Sequence, residues 1–300
     1  MEDFRFFIEV LVGGLLSGLM YSLVALGFVL IYKASGVFNF AQGSMVFLAV
    51  LSFVGFMELG LPFWAALPVT IGMMVLVGMA TERLVLRPLV GQSDTTLLMA
   101  TIGLAFIIEG VAQIAWGVDV RRLDLGIHDE PIMWLADNFE ILISQLDIAA
   151  GIVAGLMVVA LALLFSRTKV GRGLRAVADD PAAALSIGIP LSHIWMLVWA
   201  TAGVVALVAG MLWGARSGVQ FALVLVALKA LPVLIIGGFT SVPGVIVAGL
   251  IVGATEKVAE VYIGPYFGGG IEGWAPYMLA VLFLLVRPEG LFGEKIIRRV

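Results

Sequence analysis

The run VLVGGLLSGLMYSLVALGFVLIY, Val10 to Tyr32, contains no charged residue. About twenty apolar residues in a helix cross a hydrocarbon core of about 30 Å, so this run is long enough to span a bilayer once. Glu2, Asp3 and Glu9 stand before it, whereas a cleavable signal peptide starts basic and carries a shorter apolar core. It reads as a retained membrane helix. The rest of the chain has the same character: of 300 residues, 62% are hydrophobic and 13% charged, against about 25% charged in soluble domains. In hydrocarbon an unpaired backbone group costs several kcal/mol, so a spanning chain must be helical or a closed barrel. Barrel strands are segments of about ten residues with alternating polarity, and the apolar runs here are far longer. The expected fold is an all-α integral membrane protein.

Charges cut the chain into apolar pieces at 10–32, 37–57, 61–81, 95–117, 141–165, 191–215, 217–255 and 273–287, which predicts about eight transmembrane segments. Short cytoplasmic loops carry the excess of Lys and Arg. Arg167, Lys169, Arg172 and Arg175 place the loop at about 166–190 inside, and Arg287, Lys295, Arg298 and Arg299 place the C-terminus inside. Asp119, Asp124, Asp129, Glu130, Asp137, Glu140 and Asp147 outweigh Arg121 and Arg122, so a loop at about 118–140 is external. The N-terminus is then outside. Parity requires 217–255 to enter and return, and "IIGGFTSVPG", Ile235 to Gly244, breaks it near the middle. A pair of short helices or a re-entrant hairpin fits, and such broken helices are common at transport pathways; an ordinary turn at the cytoplasmic face fits equally. The 1–300 chain reads as one transmembrane domain.

Several residues stand out against this apolar background. Asn39 and Gln42 lie at the start of the second span, and Gly237, Gly238 and Ser241 lie in the later break. Both groups are candidates for lining a solute pathway, although amides also serve helix packing. Glu109 is an acid within an apolar run, which is a functional candidate by default, and a place near the outer interface fits it equally. Lys229 is expected to snorkel to an interface rather than to serve a substrate site. Gly244, Gly249 and Gly253 approximate the small-residue spacing that lets helices approach closely.

The segment GRGLRAVADDPAAALSIGIP, Gly171 to Pro190, is the best-punctuated polar stretch. Asp180 suits a helix N-cap, Pro181 the first helical position, and Ala182 to Leu185 favour helix. Gly188 suits the left-handed residue past the end, and Pro190 prevents resumption. A two-turn helix, preceded by a basic approach strand, would present Leu185 and Ile187 to the cytoplasm as a docking knob. A loop helix lying on the membrane surface is the alternative.

No phosphate-binding G-x-x-x-x-G-K-[ST], no H-E-x-x-H and no G-x-S-x-G occurs, so no catalytic residue and no cofactor is expected. Zero cysteines and two histidines, His128 and His193, make a metal centre improbable. A net charge of −4 argues against a nucleic-acid partner, which needs a concentrated basic face.

The run Gly171-Arg172-x-x-Arg175-Ala176, followed by Asp180, Ala184 and Gly188-Ile189, resembles the cytoplasmic coupling loop of permease subunits of branched-chain amino-acid ATP-binding cassette (ABC) importers, the LivH-type family. "GVFNFAQGS", "ALKALPVLIIGGFTSVPGVIVAGLIVG" and "LLVRPEGLFGEK" are similar to three further stretches of that family, in the same order, with departures at Gln42 and Val245. The resemblance implies half of a channel in the cytoplasmic membrane of a bacterium or archaeon. It implies a second, related permease chain, two ATP-binding subunits and an external solute-binding protein as partners. Gly171, Arg172, Arg175, Asp180, Pro181, Ala184, Leu185, Gly188 and Ile189 would then couple to an ATPase subunit. Branched-chain or other small amino acids are the implied solutes, with urea or short amides as sibling substrates. A sugar-type ABC permease is a related alternative. An ion-driven secondary transporter and a non-transporting scaffold are others, but paired intramembrane carboxylates or an inverted repeat, which the former should carry, are not evident.

Overall fold

The helices follow the apolar runs of the sequence. A computed structural model describes residues 2–127 and 129–293, without the side chains of Glu2, Pro181 and Ala182. His128 and the basic tail residues Lys295, Arg298 and Arg299 therefore lie outside the described residues. The elements are α1 (Glu2–Ser35), α2 (Gln42–Glu58), α3 (Phe63–Ala80), α4 (Asp94–Trp116), α5 (Met133–Phe139), α6 (Gln145–Arg167), α7 (Lys169–Asp179), α8 (Pro181–Ser186), α9 (Leu191–Ser217), α10 (Val226–Lys229), α11 (Leu231–Gly237), α12 (Val242–Tyr262), α13 (Gly264–Phe267) and α14 (Ala275–Val286). Among the described residues there is no strand beyond two isolated bridges, Arg121 with Val219 and Pro131 with Ser144.

Among the described residues, six helices are long and apolar enough to cross a membrane: α1, α3 with its continuation to Leu89, α4, α6, α9 and α12. Three shorter apolar helices, Gln42–Glu58, Phe221–Gly237 and Ala275–Val286, complete the set. This is an all-α, multi-pass membrane protein, and the expected count of about eight falls between the six long helices and the full nine. The shortfall in length has a local cause at 217–255. Its first limb is segmented into a 3-10 turn (Phe221–Leu225), α10 and α11, and its second limb runs past 255 to Tyr262. Pro232 has no N–H to donate one turn back, which helps to divide α10 from α11.

Two compact units emerge. One gathers residues 1–25, 124–158 and 229–300; the other gathers 26–123 and 159–228. In the first unit α1 and α12 meet backbone to backbone. A Cβ on Gly14 would come within 2.7 Å of the Gly253 carbonyl oxygen, and one on Gly18 would overlap that of Gly249. The glycine spacing read from the sequence is thus a helix crossing, sealed by Ser22, whose hydroxyl donates to the carbonyl of Val245 at 3.1 Å. α11 and α14 also pack on α12.

In the second unit α2 is the hub, buried over nearly its whole length from Gln42 to Gly55 and packed against α3, α4 and α9. Trp116 donates its indole N–H to Ser52 at 2.9 Å, and Thr101 donates to the Phe38 carbonyl at 3.0 Å. Beyond Ala80, α3 widens through a π turn, Thr81–Leu86. There the fully buried Glu82 accepts from Arg87 Nε at 3.1 Å and Nη2 at 2.9 Å. A bidentate guanidinium–carboxylate pair of this kind supplies the compensation that a buried charge requires.

Candidate functional site

The polar segment after α6 is built from the outset as a rigid object. Thr168 caps α7, its hydroxyl accepting from the Gly171 N–H at 3.2 Å. The basic approach is therefore not a strand but an eleven-residue helix, Lys169–Asp179. Two glycines, Gly171 and Gly173, lower its helix propensity, so the segment alone does not read as a helix. The buried residues Gly171, Leu174 and Val177 recur every third position, and that one-faced burial stabilises α7 in its place. Arg172 is exposed, while Arg175 turns back and donates to the carbonyls of Phe165 at 2.7 Å and Ser166 at 3.5 Å. Those are free carbonyls at the end of α6, where a cation is favoured. Gly171 lies so close to the Phe165 carbonyl that any side chain there would overlap it.

α8 begins as its capping chemistry dictates. The Asp180 carboxylate accepts from the Ala183 N–H at 3.0 Å. At its end the Ile189 N–H reaches the Ala184 carbonyl at 2.9 Å and the Gly188 N–H reaches that of Leu185 at 3.0 Å. This pairing is a Schellman motif, and it needs the left-handed φ of +84° that Gly188 supplies. Ala184 is buried, Leu185 and Ile187 are exposed, and Ile189 is half-buried. The side chain of Pro181 lies outside the described residues. The arrangement holds two apolar side chains outward on a helix fixed at both ends.

The pathway candidates fall into two local groups, each within its own unit. Asn39 and Gln42 are completely buried. The Asn39 amide donates to Gln42 Oε1 at 3.2 Å and accepts from the Ala41 N–H at 3.1 Å, which holds the turn that starts α2. Gln42 Nε2 is buried without a hydrogen-bond partner and lies against Gly27, where a Cβ would overlap it. In the other group Ser241 caps α12 by accepting from the Gly244 N–H at 3.0 Å. A Cβ on Gly237 would come within 2.6 Å of the Gly244 carbonyl carbon, and Gly238 has φ +96°. The Ile236 carbonyl accepts from the Leu291 N–H at 2.7 Å, so the turn at 238–241 is fastened by the segment that follows α14.

Glu109 accepts from the Ser44 hydroxyl at 2.7 Å. In the same unit a cleft of about 360 Å³ is lined by Phe47, Gln113, Val118 and Phe221, apolar walls with one amide.

Residues 10–286 match the family described as the branched-chain amino acid transport system, permease component. The chain belongs to that family. It is 26% identical over 312 residues to the high-affinity branched-chain amino acid transport system permease protein LivH of Salmonella typhimurium, covering 100% of this chain and 99% of that one. It is 28% identical to the permease protein BraD of Pseudomonas aeruginosa, covering 100% of both. A fructose import permease protein, FruF of Bifidobacterium longum, is 25% identical over 64% of this chain and 51% of its own length.

The permease also contains a charged cluster that the sequence analysis did not find. The Lys229 ammonium lies 3.4 Å from Glu256 Oε1 and 4.0 Å from Glu272 Oε1. Tyr21 donates to the same Glu256 oxygen at 3.0 Å, and Lys257 pairs with Glu272 at 3.4 Å. The available signal was a second charge, Glu256, near the end of an apolar run that already held Lys229.

Proposed function

We propose that the chain is the membrane-spanning permease subunit of an ABC importer, forming half of the translocation pathway for branched-chain or other small amino acids. The observation that carries this reading is the helix α8, capped at both ends and presenting Leu185 and Ile187. A passive loop has no need of two caps, whereas a lever that receives force has. Family membership supplies the solute class, and the shorter match to the fructose permease makes a sugar the weaker choice.

On this reading the N-terminus is outside and the C-terminus cytoplasmic, in the inner membrane of a bacterium or the cytoplasmic membrane of an archaeon. Both compact units belong to one permease domain, 1–300. Gly171, Arg172, Arg175, Asp180, Pro181, Ala184, Leu185, Gly188 and Ile189 form the coupling element, seated on one of two ATP-binding subunits. A second related permease completes the pathway, and an external binding protein delivers the solute. The permease carries no catalytic group; its work is a difference in packing between two states, driven by the ATPase. Asn39, Gln42, Gly237, Gly238 and Ser241 remain the proposed pathway residues.

The test is co-expression with the second permease, ATP-binding and solute-binding subunits of the same organism, affinity purification, and leucine uptake into proteoliposomes with ATP inside and binding protein outside. Co-purification of two ATPase subunits and ATP-dependent leucine uptake are expected. A chain that purifies alone and takes up solute in response to an ion gradient would refute the proposal.

A further inference from the structure

We infer that Lys229 and Glu256 form a station for the two charges of a zwitterionic solute, closed on itself as an ion pair when no solute is present. The inference rests on the proposed function and assigns residues to it.

The geometry is that of a site with one sealed and one open side. Glu256 is 3% exposed; its Oε1 accepts from Tyr21 at 3.0 Å, and its Oε2 is buried with no hydrogen-bond partner. The Lys229 side chain is 34% exposed and that of Glu272 40%. Charged groups within membrane-spanning helices avoid lipid; they face the bundle interior or water and mark solute pathways. Lys229 is also the last residue of α10, next to Ala230, where the helix breaks before α11. Discontinuous helices are where transporters place their solute sites.

The chemistry then selects the solute. Separating Lys229 from Glu256 leaves the nearly buried carboxylate with only the Tyr21 hydroxyl and the ammonium with only Glu272 at 4.0 Å, which is costly for Glu256. A zwitterion supplies a carboxylate for the ammonium of Lys229 and an ammonium for Glu256, including its unpartnered Oε2. One ion pair is exchanged for two, and the site stays neutral throughout. A sugar, urea or a simple amide has no charges to offer and leaves the pair closed. An amine without a carboxylate satisfies only half of the exchange.

The experiment uses the whole complex with its ATPase and binding-protein partners, reconstituted in vesicles, with leucine and isovaleramide as probe solutes. Variants are Lys229→Met, Glu256→Gln and the exchange pair Lys229→Glu with Glu256→Lys. Assembly and basal ATP hydrolysis serve as folding readouts. Each single variant is expected to lower leucine uptake by roughly tenfold or more, the loss typical of truncating one member of a buried charge pair. The exchange pair, made together with Glu272→Gln so that the carboxylate introduced at 229 does not face a second one, is expected to assemble and hydrolyse ATP but not to recover leucine uptake, because the solute's carboxylate and ammonium now meet the wrong partners.

Recovery of uptake by the exchange pair would mean that the ion pair is only a brace, and would overturn the inference while leaving the importer reading intact. Equal loss of any isovaleramide uptake would do the same. A wild-type complex that moves isovaleramide but not leucine would overturn both.

Discussion

Position 188 isolates the proposed coupling helix, α8, as a purely conformational problem. A Cβ built on Gly188 meets no atom within 4 Å, and the residue has φ +84°. Any effect of a substitution there is therefore backbone strain and not a clash. Asn tolerates the left-handed region, Ala costs about 1 kcal/mol and Val, β-branched, about 2 kcal/mol. A cost of about 2 kcal/mol shifts the balance between formed and frayed α8 about thirtyfold. Asp180→Ala removes the bond to the Ala183 N–H and costs a further ~1 kcal/mol. The assay is leucine uptake per ATP hydrolysed in proteoliposomes, across Gly188→Asn, Gly188→Ala, Gly188→Val and Gly188→Val with Asp180→Ala. Membrane insertion and ATP hydrolysis should persist, while the coupling ratio falls in that order. If the Asn and Val variants couple equally well, the formed helix is not what transmits force, and the reading of α8 is wrong.

Gly18→Leu or Gly249→Leu forces α1 from α12, since even a Cβ overlaps the facing backbone; a loss of at least about 1–3 kcal/mol is expected, visible as a lower Tm in detergent. Arg175→Ala frees the carbonyls of Phe165 and Ser166 and costs about 1.5–3 kcal/mol. Uptake should fall while ATP hydrolysis continues, and Arg175→Lys should restore little, because one ammonium does not span both carbonyls as a guanidinium does. Gln42→Met removes the Oε1 that accepts from the buried Asn39 amide, so a loss of about 1–3 kcal/mol is expected, visible as a lower Tm. A drop in uptake per correctly assembled complex would support a pathway role for Gln42, and unchanged uptake would assign it to helix packing.

Much of the fold was legible because its determinants are local. The apolar runs place α1, α3, α4, α6 and α9 directly, since a lipid environment asks only for length and composition. The caps of α8 were legible for the same reason: Asp180 and Gly188 act on groups within five residues of themselves. α7 was not, because its weak propensity is overcome by burial of Leu174 and Val177 and by the clasp of Arg175 on α6, and neither is written in the segment alone.

By itself, the sequence determined an all-α membrane chain, the place of its broken stretch and the ends of its short capped helix. Only the tertiary structure decided that Gly14 and Gly18 belong against Gly253 and Gly249, and that Lys229 answers Glu256. Tyr21 reaches that carboxylate from 235 residues away. Caps and span lengths depend on neighbours along the chain. A glycine crossing or a buried ion pair depends on which helix arrives opposite, and that is settled only when the packed backbone brings distant residues within hydrogen-bonding reach.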